Sequence, residues 1–593
     1  MIASLLAVCV LGLPAWAAPD PIVVRYPEEG ATLPALTATY VMGAVIDADA
    51  PFSINGRPVK PHRTGGFLAY VPVSTGSFSL ACELALAGGT KTLVRTVLVL
   101  GPPAGLPPGP AAIEASGVEP SSDVGLEPGD WLSVGLRGTP GHRAEFQTAG
   151  RRRKLPMAET APGVYQGAAR VEAEDFPEPA PVRFQLTDAG GRRAGASSSG
   201  KVAVIAGTPA VVAVRSDEPV NVRSGPGTGY LMFPPVGTRF LASGRVGKAV
   251  RLELPAGAEG WIDQGQVEVL PAGTPPPLAR LHFARTAAGK DASFVLLGLT
   301  EKVPFLIAPG EDLGSVVVRL FYAEAGTDWV VYDSSDAFVR EVSWKSPAGQ
   351  TVEVTVALAS PGRLWGYGAS WEEGALRIEL RHPPRMTRPG LRPGRGAPAG
   401  LHAGASVFAG RVVVLDPGHG PSAPGAIGPT GVREVDVNFA VAMQLESMLE
   451  REGASVRLTR SRDSDASLSE RARVARESRP DLFVSIHNNN LNEAANPFAY
   501  PHGYSVFYYH PHSMDLARHV HRSFQRSIGL QDERLRFGDL FMARVSEMPA
   551  VLVEGAYMTY PEQEELLNTP AFQRRMAAAV LEGMRGFLRG SPR

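Results

Sequence analysis

Cysteine is nearly absent: the 593 residues include two, Cys9 and Cys82. Cys9 falls within a short apolar run at the start of the chain, which leaves Cys82 alone in the remainder. A disulfide framework and a cysteine-ligated zinc site are thereby excluded, so any metal must be held by histidines and carboxylates. A charge excess is missing too. Lys+Arg total 58 against Asp+Glu 59, a formal net charge of -1. That balance gives no reason to expect nucleic acid or an anionic membrane as partner. Beyond the first residues no run of about 18 uninterrupted apolar residues occurs, so no membrane insertion is expected. No short repeat of solenoid type is present either.

Residues 2–13 are almost unbrokenly apolar and are followed by Pro14 and the small-residue site Ala15-Trp16-Ala17. Residues 1–17 therefore read as a secretory signal peptide whose positive charge is the α-amino group alone. An exported protein is expected, in the periplasm or at the cell wall and exterior. Val8 stands where a lipoprotein signal carries a small residue, so lipidation of Cys9 is not expected.

A chain this long exceeds what one hydrophobic core supports, and roughly three to five domains follow. The 65 Gly and 53 Pro add turns and linkers. Residues 19–102 carry β-rich runs such as Ile22-Val23-Val24, separated by turn dipeptides including Asn55-Gly56 and Gly65-Gly66. They predict an antiparallel β-sandwich, and the segment from Ile54 to Pro72 resembles bacterial immunoglobulin-like modules. After a Pro-rich linker, 111–206 predicts a second β-rich domain without a recognisable site. Around Val220-Asn221-Val222-Arg223-Ser224-Gly225-Pro226-Gly227, with Gly260-Trp261-Ile262 further on, residues 208–270 resemble a bacterial Src-homology-3-type domain. That resemblance implies a small β-barrel of a kind that commonly binds peptidoglycan. Residues 278–384 alternate apolar and polar over 315–321, 351–357 and 376–380, which predicts another sandwich. The Pro-, Gly- and Arg-rich stretch 385–408 is a linker.

The texture then changes. From 411 to 590, apolar runs of strand length (412–415, 456–458, 482–486, 551–553) alternate with amphipathic stretches of helical length. This predicts an α/β domain with a mostly parallel sheet flanked by helices. Val437, Val441, Leu445 and Leu449 draw one buried stripe on a helix ended by Gly453. Ser467 with Glu470 makes a capping box, and Thr569 before Pro570 an N-cap.

The titratable residues fall on that frame. His419 comes just after the first strand, His487 just after the third, and Glu554 just after the last. Strand C-termini are where open parallel sheets bind ligands, so residues far apart in sequence are expected to converge there. Glu434 opens the amphipathic helix and can turn its carboxylate to the same edge. Two imidazoles and one carboxylate with an open position form a common catalytic zinc sphere, which generates an activated water. The remaining carboxylate would move the proton.

The segment Asp416-Pro417-Gly418-His419-Gly420, Glu434 with Asn438, Thr459-Arg460, Leu468 to Arg471, Ser485 to Asn488 and Val551 to Gly555 together resemble the zinc-dependent N-acetylmuramoyl-L-alanine amidases. The resemblance implies Zn2+ held by His419, Glu434 and His487, Glu554 as general base and acid, and peptidoglycan as partner. It makes 278–384, by its position, similar to the amidase-targeting β-domains of such enzymes. Pro421 and Tyr557-Met558-Thr559-Tyr560 depart from the family pattern without removing a ligand. The short stretch between Asn488 and Tyr504 leaves little room for an inserted autoinhibitory helix. Two other functions stay open: a wall-binding protein without turnover, and a zinc peptidase acting on a stem-peptide bond. His510, His512, His519 and His521 form a second histidine group, read as a solvated surface rather than a metal site.

Overall fold

The computed structural model describes residues 20–590 apart from 103–104, 152, 206–208, 217–219, 348 and 385–405. The signal peptide expected over 1–17 and most of the linker expected over 385–408 lie outside these residues. Up to Arg381 the described chain is built from strands and two short 3-10 turns. A three-stranded sheet (Ile22–Tyr26, Ala38–Val45, Gly66–Pro72) packs on a five-stranded one over Val41, Ile54, Phe67, Leu80 and Cys82. Asn55 and Gly56, at φ 50° and 72°, close the two-residue hairpin that pairs Ile54 with Arg57.

Between 111 and 270 the sequence suggests two modules, yet one hydrogen-bonded sheet of ten strands runs through both. Val124–Leu126 makes the join, pairing in parallel with Arg193–Val204 on one side and antiparallel with Arg239–Val246 on the other. Each module thus covers an edge that would otherwise leave backbone groups unpaired. From Ala279 to Arg381, a six-stranded and a four-stranded sheet enclose Val295, Leu297, Val318, Val354 and Ile378. In Ala375–Arg381, Leu376, Ile378 and Leu380 are buried while Arg377 and Glu379 face outward, the period of two that a half-covered strand requires.

The C-terminal region comprises β1 (Val412–Pro417), α1 (Glu434–Arg451), β2 (Ser455–Leu458), α2 (Leu468–Glu477), β3 (Leu482–Asn489), β4 (Gly503–Tyr508), α3 (Met514–Ser527), β5 (Gln531–Phe537), β6 (Ala550–Tyr557), α4 (Pro561–Leu567) and α5 (Pro570–Gly590). The sheet order is β2-β1-β3-β6-β4-β5. β1 runs parallel to β2 and β3, β3 parallel to β6, and β4 antiparallel to β6 but parallel to β5. Val437, Val441, Leu445 and Leu449 are all buried on α1, which packs against the sheet and α5. Gly453, at φ 86°, turns the chain out of that helix. Both halves of the Ser467–Glu470 capping box are made. Among the described residues no helix is long and apolar enough to cross a membrane.

Upstream β-structure grips this domain at two opposite edges. At the N-terminal ends of β3 and β6, Trp365 Nε1 donates to Asp481 O (2.8 Å), Tyr367 N to Ser546 O (2.8 Å) and Arg381 to Pro480 O (2.8 Å) and Glu547 O (3.0 Å). At the C-terminal ends, the three-stranded sheet of residues 20–100 lays Tyr40 and Met42 against Leu491, Tyr557 and Tyr560 in one buried cluster. Tyr40 donates to Leu491 O (3.4 Å), Tyr26 to Glu493 O (3.2 Å), and Arg63 pairs with Glu565 (2.8 Å).

Within the domain, the Asp416 carboxylate is wholly buried at the end of β1. It accepts from Thr459 Oγ1 (2.5 Å), Ser485 Oγ (2.7 Å) and Arg471 Nη1 (3.0 Å), so β1, β2, β3 and α2 meet on one group. Truncating it strands the buried Arg471 guanidinium, which costs about 3–5 kcal/mol. Asp416→Ala is therefore expected to lower the urea midpoint followed in the helical far-UV band. That band reports on 411–590 specifically, because every α-helix among the described residues lies there. An unchanged midpoint would contradict this account of Asp416.

Candidate active site

β1 delivers His419 through Gly418, and no other residue fits there: a Cβ on Gly418 would stand 2.2 Å from the His487 ring. His419 itself takes φ 66°, a left-handed conformation that costs a non-glycine residue on the order of 1 kcal/mol. Two buried arginines hold the turn against that strain. Arg460 donates to Pro417 O (2.9 Å) and Gly418 O (3.1 Å), while Arg471 donates to Pro417 O (2.8 Å) and to His419 O.

Glu434 is the first residue of α1, where the helix N-terminus favours a carboxylate. Its Oε1 lies 3.1 Å from His419 Nε2 and 3.2 Å from His487 Nδ1. Further donors fix its orientation: Ala426 N to Oε2 (3.0 Å), Asn438 Nδ2 to Oε1 (3.2 Å) and Asn488 N to Oε1 (3.1 Å). Asn488 in turn donates to Asn438 Oδ1 (2.8 Å). Burial alone would push the Glu434 carboxyl up, but hydrogen bonds and charge from His419 and His487 override it and hold it well below the usual carboxylate range.

One ligand atom each from His419, Glu434 and His487 lie within 4.8 Å of one another. Ligands on a tetrahedral zinc with bonds of about 2.0–2.1 Å stand about 3.3 Å apart. The donor types and the spacing fit that ion. The His419 side chain is 31% exposed, so a substrate could approach from its side.

Glu554 completes the set predicted from the sequence. It is the direct partner of His487 across β3 and β6, one strand spacing of about 4.8 Å away. Its Oε2 is buried without a hydrogen-bond partner. Burial pushes the Glu554 carboxyl well above the usual range, the charge of Glu434 adds to this, and Arg536 offsets part of it.

The second histidine group is corrected. His510 and His512 are not solvated but buried beneath Tyr367 of the upstream sandwich, with His510 Nε2 2.9 Å from Arg544 O. Burial holds the His510 imidazole down at about 4. His519 is half-buried and His521 pairs with Asp532 (2.7 Å), so the four do not converge. Sequence reasoning had no means of finding Glu564 of α4. Its carboxylate receives Thr430 N (2.9 Å) and Val432 N (3.2 Å) and so pins the loop between His419 and Glu434 from 132 to 134 residues away.

Fold and site define a class: an α/β domain presenting two histidines and a glutamate that could hold a metal ion, with a second glutamate beside them. Residues 413–586 match the family described as N-acetylmuramoyl-L-alanine amidase, so the C-terminal region carries a domain of that family. Over 180 residues the chain is 32% identical to "N-acetylmuramoyl-L-alanine amidase LytC" of Bacillus subtilis (strain 168), 30% of this chain and 36% of that protein. Over 193 residues it is 30% identical to "Probable cell wall amidase LytH" of Staphylococcus epidermidis (strain ATCC 12228), 32% of this chain and 62% of that protein. The chain thus spans about a third of the length of LytC and under two thirds of LytH. Among solved structures, "N-acetylmuramoyl-L-alanine amidase AmiC2 of Nostoc punctiforme" is 32% identical, with 30% of this chain and 99% of that one covered and a TM-score of 0.29.

Zinc titration of the metal-free chain by calorimetry is expected to saturate at one ion. His419→Ala or His487→Ala should weaken binding by more than about 100-fold, beyond the loss typical of residues that merely support ligands. Undiminished affinity in either variant would remove that histidine from the site.

Proposed function

We propose that the chain is an exported peptidoglycan hydrolase that cleaves the amide bond between N-acetylmuramic acid and the L-alanine of the stem peptide. The observation that carries this reading is that the amidase-family match over 413–586 contains the one cluster, among the described residues, of three close His and carboxylate donors. In this reading His419, Glu434 and His487 are the metal ligands. Zinc held there would supply Lewis-acid polarisation of the scissile carbonyl and activation of water.

The chain's own groups do the rest. Asn438, Asn488 N and Ala426 N keep the Glu434 carboxylate aimed, while Arg460 and Arg471 keep His419 in its strained turn. Glu554 Oε2, with no partner of its own, accepts the proton of the attacking water and returns it to the departing amine nitrogen. A carboxyl raised by burial is suited to both halves of that transfer. Upstream, we assign 19–102 and 111–206 as β-domains, 208–270 as the peptidoglycan-binding Src-homology-3-type module and 278–384 as a targeting sandwich. Residues 1–17 direct export to the periplasm or wall.

Purified peptidoglycan incubated with the zinc-loaded chain is expected to release intact stem peptides with a free L-alanine amine, read by mass spectrometry. Glu554→Gln should lower the rate by about 10²–10⁴ while zinc stoichiometry is kept. Equal release by the variant would reject Glu554 as the proton carrier, and cuts between two amino acids would replace the substrate bond.

A further inference from the structure

The row of residues that starts at His487 continues past Glu554. Ser505 of β4 is the partner of Glu554 on its other side. Beyond Ser505 the β4–β5 register shifts: Tyr504 pairs with Asp532 but Val506 with Leu535. Two residues of β5, Glu533 and Arg534, therefore oppose the single Ser505, a bulge in a parallel pair, where bulges are rare. Arg534 sits in it at φ 78°, a left-handed conformation that glycine would adopt without cost. Such strained bulges re-aim side chains and cluster at functional sites.

The bulge borders a pocket of about 600 Å³ whose walls include Tyr500, His502, Asp532, Glu533, Arg534 and Arg536. Most of the charges there are already paired. Glu533 accepts from Gly503 N (2.9 Å), Arg536 Nη2 (2.8 Å) and Tyr557 OH (3.2 Å), and His502 Nδ1 lies 3.4 Å from its Oε1. Asp532 is held by His521 (2.7 Å) and Gln525 (2.8 Å). What is left over is one guanidinium and one ring nitrogen. Arg534 is exposed and has no acidic partner among the described residues, and His502 Nε2 is buried without a hydrogen bond. The complement of an unpaired guanidinium is a carboxylate.

We infer that this pocket is a subsite for a free carboxylate of the stem peptide, namely that of the acidic residue next to L-alanine, received by Arg534. The inference rests on the amidase reading for the identity of the substrate. Two strand spacings, about 10 Å, separate the Glu554 and bulge backbones. One or two extended residues together with an arginine side chain span that distance.

The test uses the zinc-loaded full chain carrying Glu554→Gln, with N-acetylmuramoyl-L-alanyl-D-glutamate and its isoglutamine counterpart as probes. These differ by one carboxylate against one amide. Calorimetry is expected to give about tenfold tighter binding of the acid. Adding Arg534→Ala should bring the acid down to the affinity of the amide, and Arg534→Lys should restore part of the difference. The subsite is overturned if acid and amide bind alike, if neither binds, or if Arg534→Ala leaves the preference intact. Peptide release from peptidoglycan by the chain with Glu554 intact is read separately. A chain that prefers the acid but releases nothing sinks the amidase reading alone, and one that releases stem peptides without preferring the acid sinks the subsite alone.

Discussion

The Asp416–Arg471 pair is the constraint on which the site is built. Both side chains are nearly inaccessible, and the carboxylate is shared among groups from two further strands. A buried pair of this kind is a weak source of net stability, since desolvating two ions offsets most of their attraction. What it supplies is position. Arg471 has donors left after meeting Asp416, and it directs them at the carbonyls of Pro417 and His419. Arg460 adds Gly418 O and Val435 O, tying the turn to the first residues of α1. The left-handed turn that points His419 at Glu434 is thus clamped by two buried guanidinium groups.

The upstream domains bear on the same site through its outer loops. Tyr26 and Tyr40 donate to carbonyls of the segment that follows β3, and Arg63 pairs with Glu565 of α4. The neighbouring Glu564 holds the far end of the loop that carries Glu434, at Thr430 and Val432. Gly66 of the N-terminal sheet comes so close that an added Cβ would lie 3.1–3.4 Å from Pro561, Thr430 and Pro429. Loops are the mobile part of most sites. Here both loops bordering the His419, Glu434 and His487 cluster lean on a folded domain, while a second sandwich braces the opposite edge of the sheet through Trp365, Tyr367 and Arg381.

Whatever depends on local pattern was legible in the amino-acid order. The α1 stripe, the Ser467–Glu470 box, the Asn55-Gly56 hairpin and the placing of His419, His487 and Glu554 at strand ends all follow from periods of two and 3.6 and from turn chemistry. Features that arise from contact between distant segments were hidden. Val124 pairing with Val246 fuses two modules into one sheet, and nothing in either strand announces its partner. His510 and His512 look like surface residues until Tyr367, from another domain, covers them. The Glu533–Arg534 bulge is a matter of register, and a β5 reading Gln-Asp-Glu-Arg-Leu-Arg-Phe gives no sign of where pairing slips.

The two glutamates show how neighbouring carboxyls come to suit different work. Glu434 and Glu554 are both largely withdrawn from water, which by itself raises any carboxyl. Glu434 has two imidazoles on its oxygens, and these override burial and keep it anionic, as the proposed ligand role requires. Glu554 Oε2 has no donor, and the charge of Glu434 pushes the same way as burial, with Arg536 offsetting part of it. The anion is held at one position, and a proton is more readily accepted at the other. The proposed reaction, which would hold a cation and pass a proton from water to an amine, calls for that asymmetry, and hydrogen-bond count rather than residue type produces it here.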